Sequence, residues 1–182
     1  HQANQAMELA LGQAPDPLPL DRIETIHVHN ALHADWSQIF PASPQVMIVG
    51  NPPFIGHKTK TRDQVEDLKA VWGKDYDGYL DYVTAWYKKA ADYFHYTRGG
   101  RFAFVSTNSI SQGLPVAALF KPILAAGWRI RFAHQTFAWT SEAPGLAHVH
   151  CVIVGFDKRE KTPATLYSYD TPNLEISRGC GL

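Results

Sequence analysis

Cysteine is scarce in this chain. Only Cys151 and Cys180 occur, far apart and without the spacing of metal ligands. That scarcity argues against a disulfide framework and suits a reducing compartment. Long hydrophobic runs are missing too: none approaches the roughly 20 residues of a membrane-spanning helix. The opening HQANQAMELAL lacks the charged-then-apolar pattern of a signal peptide. Net charge is absent, because 17 Lys+Arg balance 17 Asp+Glu. Global charge therefore offers no argument for nucleic acid, and only a local basic patch could carry one. No internal repeat is visible. The chain starts at His1 rather than Met, which reads as a piece cut from a longer protein.

What the chain does have is material for a core. Its 182 residues, 45% of them hydrophobic, fit one globular domain. Residues 1–11 read as a helix closed by Gly12, and Pro15, Pro17 and Pro19 make residues 12–21 a linker. IETIHVHN (23–30) reads as a short strand, and residues 35–45 as a connection with room for one helical turn. VMIVG (46–50) is a continuous apolar run of the kind found in doubly covered parallel strands. After the basic loop HKTKTR (57–62), residues 62–72 are weakly helical, and Gly73 to Gly78 breaks the pattern. Leu80, Val83, Tyr87, Ala90, Ala91 and Phe94 mark one long amphipathic helix ended by Gly99-Gly100.

RFAFVS (101–106) is a second buried strand. Residues 114–126 read as a helix with Pro115 near its start and Gly127 after its end, and the internal Pro122 should kink or break it. RIRFAHQTF (129–137) alternates as a strand with one better-covered face, and HVHCVIVGF (148–156) is rich in valine and isoleucine. The tail after Asp157 receives no firm assignment. Strand–helix alternation followed by two adjacent late strands predicts an open α/β sheet, mostly parallel, with an antiparallel edge pair on its C-terminal side.

Ligands of such sheets sit beyond the carboxyl ends of the strands. There VMIVG runs into Asn51-Pro52-Pro53-Phe54. A residue before proline is pushed to extended geometry, so Asn51 continues the strand. Two prolines then fix φ and remove two N–H donors. What remains is an acceptor-rich rim, the Asn51 carboxamide oxygen and the neighbouring carbonyls, with an aromatic ring next to it. Such a rim suits a flat ligand with an amino group. Read alone, Asn-Pro-Pro is ordinary turn chemistry; its place after a buried strand favours a site.

Other constellations are weaker. His27 with His29, and His148 with His150, share strand faces but have no convergent partner, so a structural role is preferred to zinc. HKTKTR reads either as a phosphate contact or as a solvated loop. Ser106 and Ser141 have no defensible His/Asp arrangement, which disfavours a hydrolase. Trp86 and Trp139 read as packing residues.

GNPPF after an apolar strand resembles the (D/N/S)PP(Y/F/W) motif of amino-methyltransferases that use S-adenosylmethionine. The phrases VHNALHADW, GNPPFIG, GYLDYVTAWYKKAADYF, RFAFVSTNSISQG and FAHQTFAWTSEAPGLAHVHCVIVGF, in this order, are similar to the methyltransferase part of single-chain type IIG/IIL restriction–modification enzymes. The resemblance implies a class I, Rossmann-like methyltransferase sheet, the cofactor S-adenosylmethionine, DNA as partner through the parent protein, and a prokaryotic cytoplasm. It implies methyl transfer to the N6 amine of a flipped adenine in DNA. Residues 1–157 would be the later portion of the catalytic domain, and 158–182 a tail or the start of the next segment.

Position by position, Asn51 and the Pro52 carbonyl would accept hydrogen bonds from the adenine amine. Pro53 would complete the rigid motif, and Phe54 would stack on the base. Phe137 falls where the family keeps a second aromatic, and it also reads as a core phenylalanine. Asn30 and Ala31 would lie near the cofactor's adenine, and Asn30 also reads as a turn residue. The glycine-rich loop and the acidic residue that hold the rest of the cofactor are not found upstream of IHVHN. A target-recognition segment and a nuclease motif are not found either. The expectation is a fragment with its first strands missing, an adenine pocket but no complete cofactor pocket, and no activity alone. Its unpaired sheet edge would invite dimerisation. Two alternatives stay open: another NPP(F/Y) amino-methyltransferase acting on a protein glutamine or RNA, and a non-catalytic interaction module.

Overall fold

The computed structural model describes residues 26–56, 58–139, 149–158 and 162–169. The expected helix at 1–11, the linker at 12–21, Ser141 and His148 lie outside the described residues. Five strands form one sheet: β1 (Met47–Gly50), β2 (Arg101–Thr107), β3 (Arg129–Trp139), β4 (Val149–Asp157) and β5 (Thr165–Tyr167), in the order β1-β2-β4-β3-β5. β1 pairs parallel with β2, β4 pairs antiparallel with both β2 and β3, and β5 pairs parallel with β3. Four strands thus run one way and β4 runs against them. The late antiparallel pair forms, with β4 inserted between β2 and β3. β5, drawn from the tail, lies outside β3.

The expected strand at IHVH does not form: residues 26–30 carry no strand, and Ile26 and Val28 are 80% and 89% exposed. A strand needs a hydrogen-bonding neighbour, and among the described residues nothing pairs with this segment. Helix α1 (Trp36–Ile39) is the expected single turn, started by the Asp35 carboxylate accepting from the Ser37 N–H. The weakly helical 62–72 is helix α2 (Arg62–Trp72). It opens on a capping box in which Thr61 and Gln64 satisfy each other's backbone N–H.

The long helix expected from residue 80 begins later, as α3 (Thr84–Tyr93). The Asp81 carboxylate accepts from Val83 N–H, and the Asp81 carbonyl accepts from Thr84 N–H and from its hydroxyl. That local bonding holds residues 81–83 in a turn. Helix α4 (Leu114–Ala125) passes through Pro122. The proline sits in the last turn, where it removes only one intrahelical bond.

The core lies on the helix-covered face of the sheet. β2 buries Phe102, Phe104 and Ser106 on that side, opposite Phe156, Val154 and Val152 of β4. Tyr87 of α3 meets Phe102, Phe104 and Phe156 edge-on, and its hydroxyl bonds Ser106 Oγ at 2.8 Å. Each large side chain buried this way contributes about 1.5–3 kcal/mol. On the opposite face, the buried Asp157 is held by Arg129 at 2.9 Å and Arg131 at 3.7 Å. VMIVG is not the doubly covered strand its apolar run predicts: among the described residues β1 ends the sheet, and with no strand or helix over its outer side Met47 and Val49 are 57% and 71% exposed.

Candidate active site

The motif stands where the sheet points it. Gly50 ends β1 level with Phe104 of β2, and residues 51–56 run on beyond the strand without regular structure. Pro52 is buried, Asn51 and Pro53 are exposed, and Phe54 is half-buried against the core. Asn51 therefore meets solvent, while the buried Pro52 anchors the motif.

Just after Phe54, two backbone N–H groups turn onto one buried carboxylate. Ile55 and Gly56 donate to Asp81 at 3.2 Å and 3.0 Å, and Val83 adds a third N–H at 3.3 Å. Asp81 is only 2% exposed. Gly56 makes the turn with φ of 77°, a left-handed geometry that suits glycine. Thr59 Oγ1 donates to the Ile55 carbonyl, and Lys60 Nζ donates to the carbonyls of Gly78 and Leu80. Burial lowers the Lys60 pKa, and the charges of Asp81 and Asp77 counter only part of that. Within the basic loop, then, Lys60 turns inward as a backbone anchor, whereas Lys58 and Arg62 are exposed.

The Asn30 turn is built as tightly. Its carboxamide oxygen accepts from Leu32 N–H at 3.0 Å, and its carbonyl accepts from the N–H groups of His33 and Ala34. The Ala31 carbonyl takes the Trp36 indole N–H at 2.8 Å, and the Leu32 carbonyl takes Lys89 Nζ at 2.7 Å. Asp67 of α2 joins this turn to the next segment. It meets His33 Nε2 at 2.5 Å, Asn30 Nδ2 at 3.5 Å and the Tyr82 hydroxyl at 2.6 Å. Burial and the Asp67 contact both raise the pKa of the Tyr82 phenol, which keeps it a donor.

Phe137 is half-buried near the end of β3, level with Cys151, which is also level with Thr107 at the end of β2. It lies just past an irregularity in the β3–β4 register and meets Tyr169 edge-on at 5.9 Å. Phe137 and the 51–54 motif therefore share the carboxyl end of the sheet, with β2 and β4 between their strands. The structure joins residues 51–56 to Asp81, and Asn30 with the 30–33 turn to Asp67 and Tyr82. Asp67, Asp81 and Tyr82 had not been singled out from the sequence. The one signal was an acid inside the apolar phrase GYLDYV.

Ser106 is buried against Tyr87, Trp86 meets Tyr82 edge-on at 5.3 Å, and the exposed His27 and His29 stack on each other at 6.3 Å. Among the described residues, no group of three or more His, Cys, Asp or Glu side chains could hold a metal ion. No described helix is long and apolar enough to cross a membrane.

Comparison with known proteins gives these features a context. The family model described as "MmeI, DNA-methyltransferase domain" matches residues 1–168. DNA methyltransferase A of Bacillus subtilis (strain 168) is 37% identical over 160 residues, which cover 86% of this chain and 18% of that protein. The solved structure of the type IIL restriction-modification enzyme MmeI in complex with DNA aligns with a TM-score of 0.78 and 37% identity, over 100% of this chain and 26% of that one. The chain thus spans about a fifth to a quarter of the length of these relatives. With the family model covering nearly all of it, the chain belongs to the MmeI DNA-methyltransferase domain family.

Proposed function

We propose that this chain is part of a DNA adenine-N6 methyltransferase and supplies the pocket that holds the target base. One observation carries the reading: Asn51-Pro52-Pro53-Phe54 follows the carboxyl end of β1 with Asn51 exposed, Pro52 buried and the next two backbone N–H groups held by Asp81. The Asn51 carboxamide oxygen and the Pro52 carbonyl accept hydrogen bonds from the exocyclic amine of an extruded adenine. Two acceptors in fixed directions orient the nitrogen lone pair away from the rim, toward the methyl donor. Pro53 keeps the backbone from swinging. Phe54 stacks on one face of the base, and Phe137 serves the other. No strong base is required, since the amine proton leaves after transfer. The gain comes from orientation and exclusion of water.

S-adenosylmethionine supplies an electrophilic methyl group. The described residues fit one end of it. Asn30, whose carboxamide also braces its own turn, lines a shallow depression of about 650 Å³ together with His27, His29 and His33. Asn30 and Ala31 would hold the adenine end. No described residue forms a glycine-rich strand-to-helix turn suited to the methionine end. In this reading the chain is the later portion of a catalytic domain, which β5 carries past residue 157 to Tyr167, and it is inactive alone. Its β1 edge, unpaired among the described residues, is available to other strands of the parent protein or to a second copy.

Calorimetric titration with S-adenosylmethionine tests the incomplete pocket. This chain alone should show no detectable binding, and the longer protein should bind one-to-one. Clear binding by the chain alone would overturn that part of the reading. In the longer protein, Asn51→Ala should lower the rate of adenine methylation by about 100-fold or more, as loss of a hydrogen bond aimed at the reacting group does. Methylation of a protein glutamine or of RNA in place of DNA would replace the substrate assigned here.

A further inference from the structure

We propose that Asp81 and Tyr82 are positioning residues, a two-residue spacer that sets the catalytic loop against the cofactor turn. The inference rests on the methyltransferase reading of residues 51–54 and of Asn30. Asp81 accepts the N–H groups of Ile55 and Gly56, the two residues after Phe54. Its neighbour Tyr82 donates to Asp67 Oδ2 at 2.6 Å, and the same carboxylate receives His33 and Asn30 from the turn. Two adjacent residues therefore carry the loop on one side and the turn on the other. Successive Cα atoms stand about 3.8 Å apart across a trans peptide, so covalent geometry fixes the step between the two residues, and Asp67 relays the second of them to the turn.

The spacer is itself rigid. The Asp81 carbonyl accepts from the Thr84 N–H and, at 2.6 Å, from the Thr84 hydroxyl, and both Asp81 and Tyr82 are buried, at 2% and 7% exposure. Capping the start of α3 would explain only the bonds to Val83 and Thr84. The bonds to Ile55 and Gly56 reach 26 and 25 residues back along the chain, and they end on the loop that presents the base. Methyl transfer needs donor and acceptor aligned, and a misplacement of about 1 Å costs about 100-fold in rate.

The test uses the longer protein, tritiated S-adenosylmethionine and unmethylated phage DNA. It combines kinetics with amide exchange and thermal melting of the same variants. Asp81→Asn keeps one acceptor oxygen and Asp81→Ala keeps none. The kcat should fall in that order, by about 100-fold for Ala, while KM for the cofactor stays within about twofold. Amide exchange over residues 51–60 should quicken in Asp81→Asn by more than its fall in melting temperature accounts for, since exchange elsewhere in the sheet changes less. Tyr82→Phe should instead raise the cofactor KM about fivefold and lower kcat less than Asp81→Asn does. A merely structural role would lower the melting temperature without this split between kcat and KM. If Asp81→Ala does not fold, Asp81→Asn alone decides. Full kcat in Asp81→Asn, or a loss that tracks melting with unaltered exchange at 51–60, overturns the inference and leaves the methyltransferase reading standing. No adenine methylation by the unaltered protein overturns both.

Discussion

At the residue scale, two carboxylates order the site. Asp81 accepts three backbone N–H groups, and Asp67 gathers Tyr82, His33 and Asn30. Partial burial pushes the Asp67 carboxyl up, but the bonds from Tyr82, His33 and Asn30 and the charge of His33 outweigh it and hold the group below its ordinary value. A carboxyl depressed in the folded state adds stability above its unfolded pKa and loses it as pH falls through the folded value. Asp67→Asn should therefore lower the melting temperature at neutral pH, and the gap to the parent should close as pH drops below about 3.9. Melting curves of both proteins across that range check the sign; a gap independent of pH would contradict it. Residues 51–54 were legible in the sequence because their chemistry is local. Proline restricts its own φ and its predecessor whatever surrounds it. Asp67 and Asp81 were not, because their partners come from other segments.

At the scale of elements, local chemistry and packing divide the outcome. The capping box makes α2 firmer than its weak pattern indicated. Thr61→Ala should cost about 1 kcal/mol, measured by urea unfolding, since an N-cap is lost. The β3–β4 pair depends on a close approach instead. A Cβ on Gly155 would lie 2.2 Å from Phe132 Cε1 and 2.6 Å from Cζ. Gly155→Ala should destabilise by about 1–3 kcal/mol, and Phe132→Leu added to it should recover part of the loss. Failure of the IHVH strand belongs to this scale as well. Alternating apolar residues satisfy the strand period, but a strand exists only when its backbone groups find a partner.

At the scale of the whole molecule, the described sheet ends on the three-residue β5 at one side and on β1 at the other. β5 covers β3, whereas β1 pairs with β2 alone among the described residues. Exposed Met47, Val49, Ile39 and Phe40 lie on β1 or just before it. An unpaired strand edge beside apolar side chains is a template for another strand. The chain by itself should associate with rising concentration in sedimentation velocity, and Val49→Lys should shift it toward monomer. A concentration-independent monomer would contradict this.

The sequence by itself determined the α/β alternation, the existence of strands β1, β2 and β4, and a rigid acceptor motif after β1, but not that β1 would be an exposed edge. These follow from periodicity and from the sterics of neighbouring residues, which act within a few positions of the chain. The tertiary structure decided that β4 lies between β2 and β3, that 26–30 is no strand, and that α3 starts late. It also decided that the buried Asp81 holds the residues after Phe54 while its neighbour Tyr82 reaches Asp67 beside the Asn30 turn. Each of these depends on a hydrogen-bond partner brought from a distant segment and on water being excluded where they meet. Neither condition is written into any short stretch of sequence.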